Sequence, residues 1–377
     1  MTDMDQSTEE SGVKEFMNHI ECREEIVEMI RQLRHTLHAC PEISGEEVKT
    51  KATLQAFLKE HTTLELYPCG AGFYAAHREE GATEGIAFRA DYDALALADG
   101  GAAHLCGHDG HAASLCAVAL MLEGQQVGKN VFLLFQPAEE TGAGAYPCTE
   151  IFKKKQIDEI YGIHNLPGYP FGQVLTRKGT FACGSEGMIL GFHGKPTHAA
   201  YPENGISPAT AVGKLLEAIL DFQKFVHGEM VLCTVIGVQM GEKAFGAAAS
   251  DAEVWLTLRA ERSRDLEQLR EQILQMAETL AKEYHLTLES AEQDVFPATE
   301  NDDSCVEKVL AKCNGQVLEE PMRWSEDFGH YLKCCRGAFF GIGAGEECPA
   351  LHTEHYEYPD ELLSREAAAF VQLLTTP

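Results

Sequence analysis

The chain has 377 residues, 45% of them apolar and 24% charged, with a formal net charge of −29. That length exceeds what one hydrophobic core ordinarily serves, so two domains of a globular protein are expected. The acidic balance excludes a surface built for nucleic-acid phosphates and disfavours an anionic membrane. The segment Met1–Gly12 is polar and acidic, without a basic stretch or an apolar core, so it does not read as a signal peptide. From Glu24 to His38, Ile26, Met29, Ile30, Leu33 and Leu37 fall on one helical face, and Pro41 ends the pattern. A second helix is predicted over Glu46–Glu60. Gly85–Ala90, Asn130–Gln136 and Glu159–His164 read as strands, with a buried helix over His111–Leu122 between the first two. Its apolar run, Ala112–Leu122, is too short to span a bilayer and contains Ser114. Nearly continuous apolar strands alternating with helices predict a largely parallel sheet covered on both faces.

Between about 183 and 293 the pattern changes. Met188–Phe192 and Val231–Val238 read as strands, and Asp251–Arg259 alternates, with Ala252, Val254, Leu256 and Leu258 on one side. Amphipathic helices are predicted over Ser207–Phe222 and Asp265–Tyr284. This describes a small α+β domain with helices on one face of an antiparallel sheet. After Phe296-Pro297 the chain returns to α/β character, with an apolar segment at Gly337–Ile342 and a final helix over Pro359–Leu374. The expected layout is a discontinuous domain of residues 1–182 and 294–377 into which 183–293 is inserted. The thirteen cysteines are odd in number and contain no Cys-x-x-Cys pair. They read as reduced thiols of a cytosolic protein, without structural-zinc spacing.

Chemistry concentrates in Cys106-Gly107-His108-Asp109-Gly110-His111, where a thiol, two imidazoles and a carboxylate fall within six residues. Glu139 and Glu140 follow the apolar strand that ends at Gln136. Such a mixture suits divalent transition metals better than calcium or magnesium. The paired glutamates offer one ligand and one general base, the equipment of metal-assisted hydrolysis. In open parallel sheets, ligands bind beyond the carboxyl ends of the strands. Arg89 and Asp91 flank one such end, Cys106 and His108 precede the buried helix, His164 closes a strand, and His352 lies beyond Gly337–Ile342. A lone histidine on an apolar face is ordinarily a satisfied core residue; agreement of several segment ends turns the reading towards a site. Asp91 could instead cap its strand, and Asp109 and His111 read as structural.

The motifs carry a resemblance along nearly the whole chain. They are Leu33-Arg34-His35-Thr36-Leu37-His38 with Pro41-Glu42, Arg89-Ala90-Asp91-Tyr92-Asp93-Ala94-Leu95, the cysteine segment, Phe135-Gln136-Pro137-Ala138-Glu139-Glu140, Gly162-Ile163-His164-Asn165, His198-Ala199-Ala200-Tyr201-Pro202, Ser325-Glu326-Asp327-Phe328 and Leu351-His352. The sequence resembles the M20 metallopeptidases, in the amidohydrolase branch with hippurate hydrolases, indole-acetyl-amino-acid hydrolases and N-acetyl-diaminopimelate deacetylases. The resemblance implies a zinc-exopeptidase-like α/β domain with an inserted α+β lid or dimerisation domain, hinged near Ala182–Gly184 and Gln293–Pro297. It implies two divalent metal ions (manganese, zinc, cobalt or nickel) held by Cys106, His108, Glu140, His164 and His352, with the Cys106 thiolate as bridge. Glu139 becomes the general base, and Asp91 a carboxylate that orients a ligand. His198 becomes the oxyanion donor, within its own subunit or across a homodimer. Arg259, on the polar side of its strand, could pair with a substrate carboxylate or be a surface charge.

The implied reaction is cleavage of a small N-acyl amino acid or related conjugate. A dipeptidase or carboxypeptidase would share this chemistry, and a ligand-binding module would keep the fold without turnover. After Asp93-Ala94-Leu95 the family usually has proline and then an acid, whereas here the run is Ala96-Leu97-Ala98-Asp99. The loop Asp99–His104 is also short. Both departures bear on substrate choice, not on the metal ligands.

Overall fold

The computed structural model describes residues 23–220 and 230–375. The acidic amino terminus and the end of the expected helix Ser207–Phe222 lie outside the described residues. Helix α1 spans Glu24–His38 and buries Ile26, Ile30, Leu33 and Leu37. Helix α2 spans Val48–His61. Strands β1 (Glu65–Cys69) and β2 (Gly72–His77) form a hairpin, followed by β3 (Gly85–Asp91), α3 (His108–Leu122), β4 (Asn130–Gln136), β5 (Glu159–Pro167) and β6 (Val174–Thr176). Then come β7 (Gly184–His193), α4 (Ala209–Ile219), β8 (Val231–Met240), β9 (Asp251–Ala260), α5 (Ser263–Glu283) and β10 (Thr287–Phe296). The chain closes with α6 (Asp303–Lys312), β11 (Gln316–Val317), β12 (Arg336–Gly345) and α7 (Leu362–Leu374).

The larger sheet has the order β1-β2-β4-β3-β5-β12-β6-β11. Its centre is parallel: β3 pairs in parallel with β4 and β5, and β5 with β12. The hairpin joins β4 antiparallel, and β6 joins β12 antiparallel. Central strands carry apolar residues on both sides because both faces are covered. Ala338, Phe340 and Ile342 of β12 share a core with α3 and α7, while Phe339 packs against Phe181 and Phe328. All fifteen residues of α3 are buried, and it packs against α1, α2 and α7. That burial explains its lack of an amphipathic stripe. No helix among the described residues is long and apolar enough to cross a membrane.

The chain divides into two compact units. One comprises residues up to Phe181, Thr299–Glu320 and those from Asp327 onward; the other comprises Ala182–Ala298 and Pro321–Glu326. The second unit contains an antiparallel sheet of order β8-β9-β7-β10, with α4 and α5 packed on it. Strand β9 buries Ala252, Val254, Leu256 and Leu258, as its alternation predicts. Strand β10 and the β1–β2 hairpin are not visible in the hydropathy pattern. Strand β10 reads Thr-Leu-Glu-Ser-Ala-Glu-Gln-Asp-Val-Phe and is largely exposed, and pairing with β7 defines it.

Glu186 of β7 is 2% exposed, and Arg270 Nη1 lies 3.5 Å from its Oε2. Burial, aided by Glu292 and Glu267 and opposed by Arg270, pushes its carboxyl up to about 7 from an ordinary 4.5. Between those two values the unfolded chain has lost a proton that the folded chain keeps, so stability falls as pH rises through this window and then levels off. Replacing Glu186→Gln removes that pH dependence. Urea unfolding at pH 4.5 and pH 8 should show the wild type losing on the order of 2 kcal/mol more than the variant.

Candidate metal centre

Four chain segments deliver donor atoms to one place at the carboxyl edge of the parallel sheet. Gly107, at φ 97°, turns the chain into α3, so that Cys106 and His108 stand on either side of the helix start. A Cβ at Gly107 would come within 2.6 Å of Asn165 Oδ1 and Tyr356 OH, so the turn tolerates no side chain. Beyond β4, Ala138 adopts φ 54° and starts the turn bearing Glu139 and Glu140. His164 lies within β5. His352 sits on a loop at φ 62°, its N–H donating to Leu105 O at 2.8 Å.

Cys106 Sγ lies 3.5 Å from His164 Nε2 and 3.3 Å from His352 Nε2. Glu140 Oε1 lies 3.4 Å from His352 Nε2 and 3.8 Å from His108 Nε2. Two donor triads therefore share the sulfur: Cys106, His108 and His164 form one, and Cys106, Glu140 and His352 the other, with ligand atoms within 4.8 Å of each other in each. Glu139 is buried, with Oε2 4.0 Å from His108 Nε2. His108 Nε2 and Glu140 Oε1 are buried atoms without a hydrogen-bond partner among the described residues. Leaving such atoms bare is costly, and a cation between them would satisfy both.

Electrostatics point the same way. Burial, reinforced by Glu140, holds the Cys106 thiol well above the ordinary thiol range, so an adjacent cation is what would favour the thiolate. Burial and the neighbouring His111 hold His164 well below the usual imidazole range, leaving it neutral and able to ligate. At His108, burial disfavours the imidazolium, but Asp91, Cys106 and Asp93 outweigh it and raise its pKa well above normal. Soft sulfur, imidazoles and one carboxylate fit a divalent transition metal.

The supporting shell contains residues that the sequence reading passed over. His108 Nδ1 is 2.9 Å from Asp93 Oδ1, and the other oxygen of Asp93 accepts from Glu140 N at 2.9 Å. One carboxylate thus fixes two neighbouring donors, a role a D-x-D spacing at a strand end could have signalled. Asp91 lies 2.6 Å from His111 Nδ1 and 3.9 Å from His108 Nε2. His111 also meets Asn165 Oδ1 at 2.7 Å. Asp109 faces away from the donors, towards Arg34 at 3.2 Å and His38 at 2.8 Å.

Arg89 is buried and donates to Asp91 Oδ2 at 2.6 Å, Asp327 Oδ1 at 2.8 Å and Gln136 Oε1 at 2.8 Å. Asp327 further accepts from Gln136 Nε2 at 2.9 Å and Ala145 N at 2.8 Å. His198 and Arg259 belong to the second unit. His198 is exposed, its Nδ1 accepting from Ala200 N at 3.0 Å. Arg259 is half-buried and donates to Arg323 O and Ser325 Oγ, each at 3.2 Å, with no carboxylate partner among the described residues.

Donors gathered beyond the strands of a parallel sheet, with an acid beside them, are the mark of metal-dependent hydrolases. Comparison with known proteins makes the class specific: the profile of peptidase family M20/M25/M40 matches residues 87–376, and the chain belongs to that family, in its amidohydrolase branch. IAA-amino acid hydrolase ILR1-like 4 of Arabidopsis thaliana is 28% identical over 375 residues, spanning 91% of this chain and 84% of that protein. Hippurate hydrolase of Campylobacter jejuni is 27% identical over 365 residues, spanning 91% and 94%. A solved Bacillus subtilis structure, described as a dinuclear metal-binding peptidase of the M20 family, superposes with a TM-score of 0.77 at 24% identity, covering 94% of this chain and 98% of that one.

Asp327→Ala would strip the buried Arg89 of the carboxylate that lies 2.8 Å from its Nη2. Such a loss costs about 3–5 kcal/mol, which denaturant titration should register as a lowered midpoint.

Proposed function

We propose that this protein is a binuclear metal-dependent amidohydrolase that splits the amide of N-acyl amino acids or related small conjugates into a carboxylate and a free amino acid. The observation that carries this reading is the pair of donor triads sharing Cys106 Sγ, with Glu139 beside them. In this assignment Cys106, His108, Glu140, His164 and His352 hold two divalent cations, of manganese, zinc, cobalt or nickel. When bound, such cations supply Lewis-acid polarisation and make water acidic enough to deprotonate near neutrality.

Glu139 takes the proton of the attacking water as its oxygen bonds to the amide carbon and the carbonyl π pair moves onto oxygen. That pair returns as the C–N bond breaks, and Glu139 passes the proton to the departing nitrogen. Glu139 and Glu140 divide the work, because a carboxylate whose oxygens are engaged by cations cannot also shuttle protons. Asp93 and Asp91 orient the imidazoles.

His198 is assigned to donate to the developing oxyanion, within its own subunit or from a second copy, and Arg259 to receive the substrate carboxylate. A half-buried guanidinium fork without a carboxylate partner among the described residues suits that task. Residues 183–293 are assigned as the lid or dimerisation domain of a homodimer in the cytosol, where Cys106 stays reduced. Relatives named for hydrolysis of IAA-amino acids and of hippurate support an acylated amino acid as the substrate class.

Glu139→Gln should keep its metal while kcat falls by about 10²- to 10⁴-fold. An active variant with full metal content removes Glu139 as the base. Cys106→Ser should lose metal by elemental analysis, because a serine hydroxyl resists ionisation and bridges poorly; a full complement would overturn the ligand assignment. Acetyl-, benzoyl- and indole-acyl-amino acids assayed beside dipeptides should yield turnover of the acylated compounds. Preference for dipeptides would shift the reading to a dipeptidase.

A further inference from the structure

The turn that carries Glu139 is not held by its own residues alone. Ala138 begins it at φ 54°, a left-handed conformation that costs a residue with a Cβ roughly 1–2 kcal/mol. Something outside the turn must over-determine that geometry. The Ala138 N–H donates to Glu47 Oε1 at 2.8 Å, and the same oxygen accepts from Gly45 N at 2.7 Å. Glu47 is 7% exposed and far from the donor atoms in sequence.

Glu47 stands at the N-cap of α2, and its side chain makes no capping bond. The neighbouring Glu42 serves the first turn instead, accepting from Thr50 N at 2.7 Å and Thr50 Oγ1 at 2.9 Å. The Glu47 carboxyl is therefore free for the turn. The segment bearing it is fixed at a second point, since Ala94 N donates to Glu42 O at 3.0 Å and Ser44 N to Ala94 O at 3.1 Å. Ala94 adjoins Asp93, which grips both Glu140 N and His108. Residues 42–47 thus tie the Asp93 loop to the Ala138–Glu140 turn.

We propose that Glu47 is a positioning residue for catalysis: through the Ala138 amide it locks the strained turn that aims Glu139 at the reacting water. The inference rests on the assignment of Glu139 as the base. Glu47 bonds to backbone amides and is not one of the residues assigned to substrate or cation, and Glu140 N keeps its own bond to Asp93, so loss of Glu47 should lower kcat, leaving KM and bound metal unchanged. A misplaced general base costs about 10- to 100-fold. The substitution Glu47→Gln would retain an acceptor oxygen where Glu47 Oε1 lies, so acceptance, not charge, is what matters.

Steady-state kinetics, metal analysis and amide hydrogen exchange on the full chain test this. Glu47→Ala should lose about 10- to 100-fold in kcat at wild-type KM and metal content, with faster exchange at the Ala138 amide, while Glu47→Gln stays within about threefold of wild type. Adding Ala138→Gly to Glu47→Ala should recover part of kcat, because glycine adopts positive φ without penalty. A Glu47→Ala enzyme at wild-type rate, a Glu47→Gln enzyme as impaired as the alanine variant, or no recovery in the double variant would each overturn the proposal. Should Glu47→Ala fail to fold, Glu47→Asp takes its place: its shorter arm cannot reach Ala138, and a fully active Glu47→Asp overturns the idea. Amide exchange at Ala138 reads the clamp independently of turnover. A wild type inert towards every acylated amino acid would sink the functional reading while leaving that measurement to judge the clamp.

Discussion

Arg89 is fully buried, and two aspartates share its guanidinium while a glutamine accepts from its Nε. This cluster is the constraint on which the rest of the site depends. Asp91 and Asp327 are buried carboxylates that meet it beside the donor atoms, and a buried unpaired charge costs several kcal/mol. Arg89 neutralises that side, and its fixed donors set where Asp91 can point. With Asp91 held in place, His111 is held at 2.6 Å, and His111 in turn meets Asn165 next to His164. A cation among the donors would in turn favour the Cys106 thiolate, whose thiol burial and Glu140 otherwise hold protonated.

The geometry also explains why two adjacent glutamates need not do the same thing. Glu140 has an oxygen near His352 and His108 and an amide fixed by Asp93. Glu139 accepts from Asp327 N at 3.4 Å, which ties it to the arginine cluster. The turn that carries them begins at a residue with positive φ. Unusual backbone of this kind persists only where surrounding contacts over-determine it, and the contacts here come from Glu47 and from Asp93. The strained turn and the buried acids are parts of one arrangement.

Much of the architecture is legible in the amino-acid sequence. The helix at Glu24–His38 and the alternating strand at Asp251–Arg259 follow from their period because each buries one apolar face, and the strand at Asn130–Gln136 follows from a continuous apolar run buried on both faces. Strand β10 was not legible, since its polar sequence matches no hydropathy template and pairing with β7 alone makes it a strand. The antiparallel hairpin at the sheet edge was hidden for a related reason: β1 is half-exposed and contains Pro68. The donor residues could be named from their clustering at strand ends. In the sequence Asp93 is legible only as part of a motif, and Glu47 not at all, because both act through bonds to backbone amides of residues more than forty positions away.

The amino-acid sequence by itself determined the kinds of donor, their placement beyond apolar strands, and the alternation of strands and helices that makes a parallel sheet. Those properties are local: each depends on residue type and on spacing within one segment. Tertiary structure alone decided which histidine nitrogens meet the sulfur, that two triads share it, and which buried carboxylate orients which ring. Those facts depend on distances between segments that meet only once the sheet has formed, and a metal site is defined by such distances to within a fraction of an ångström.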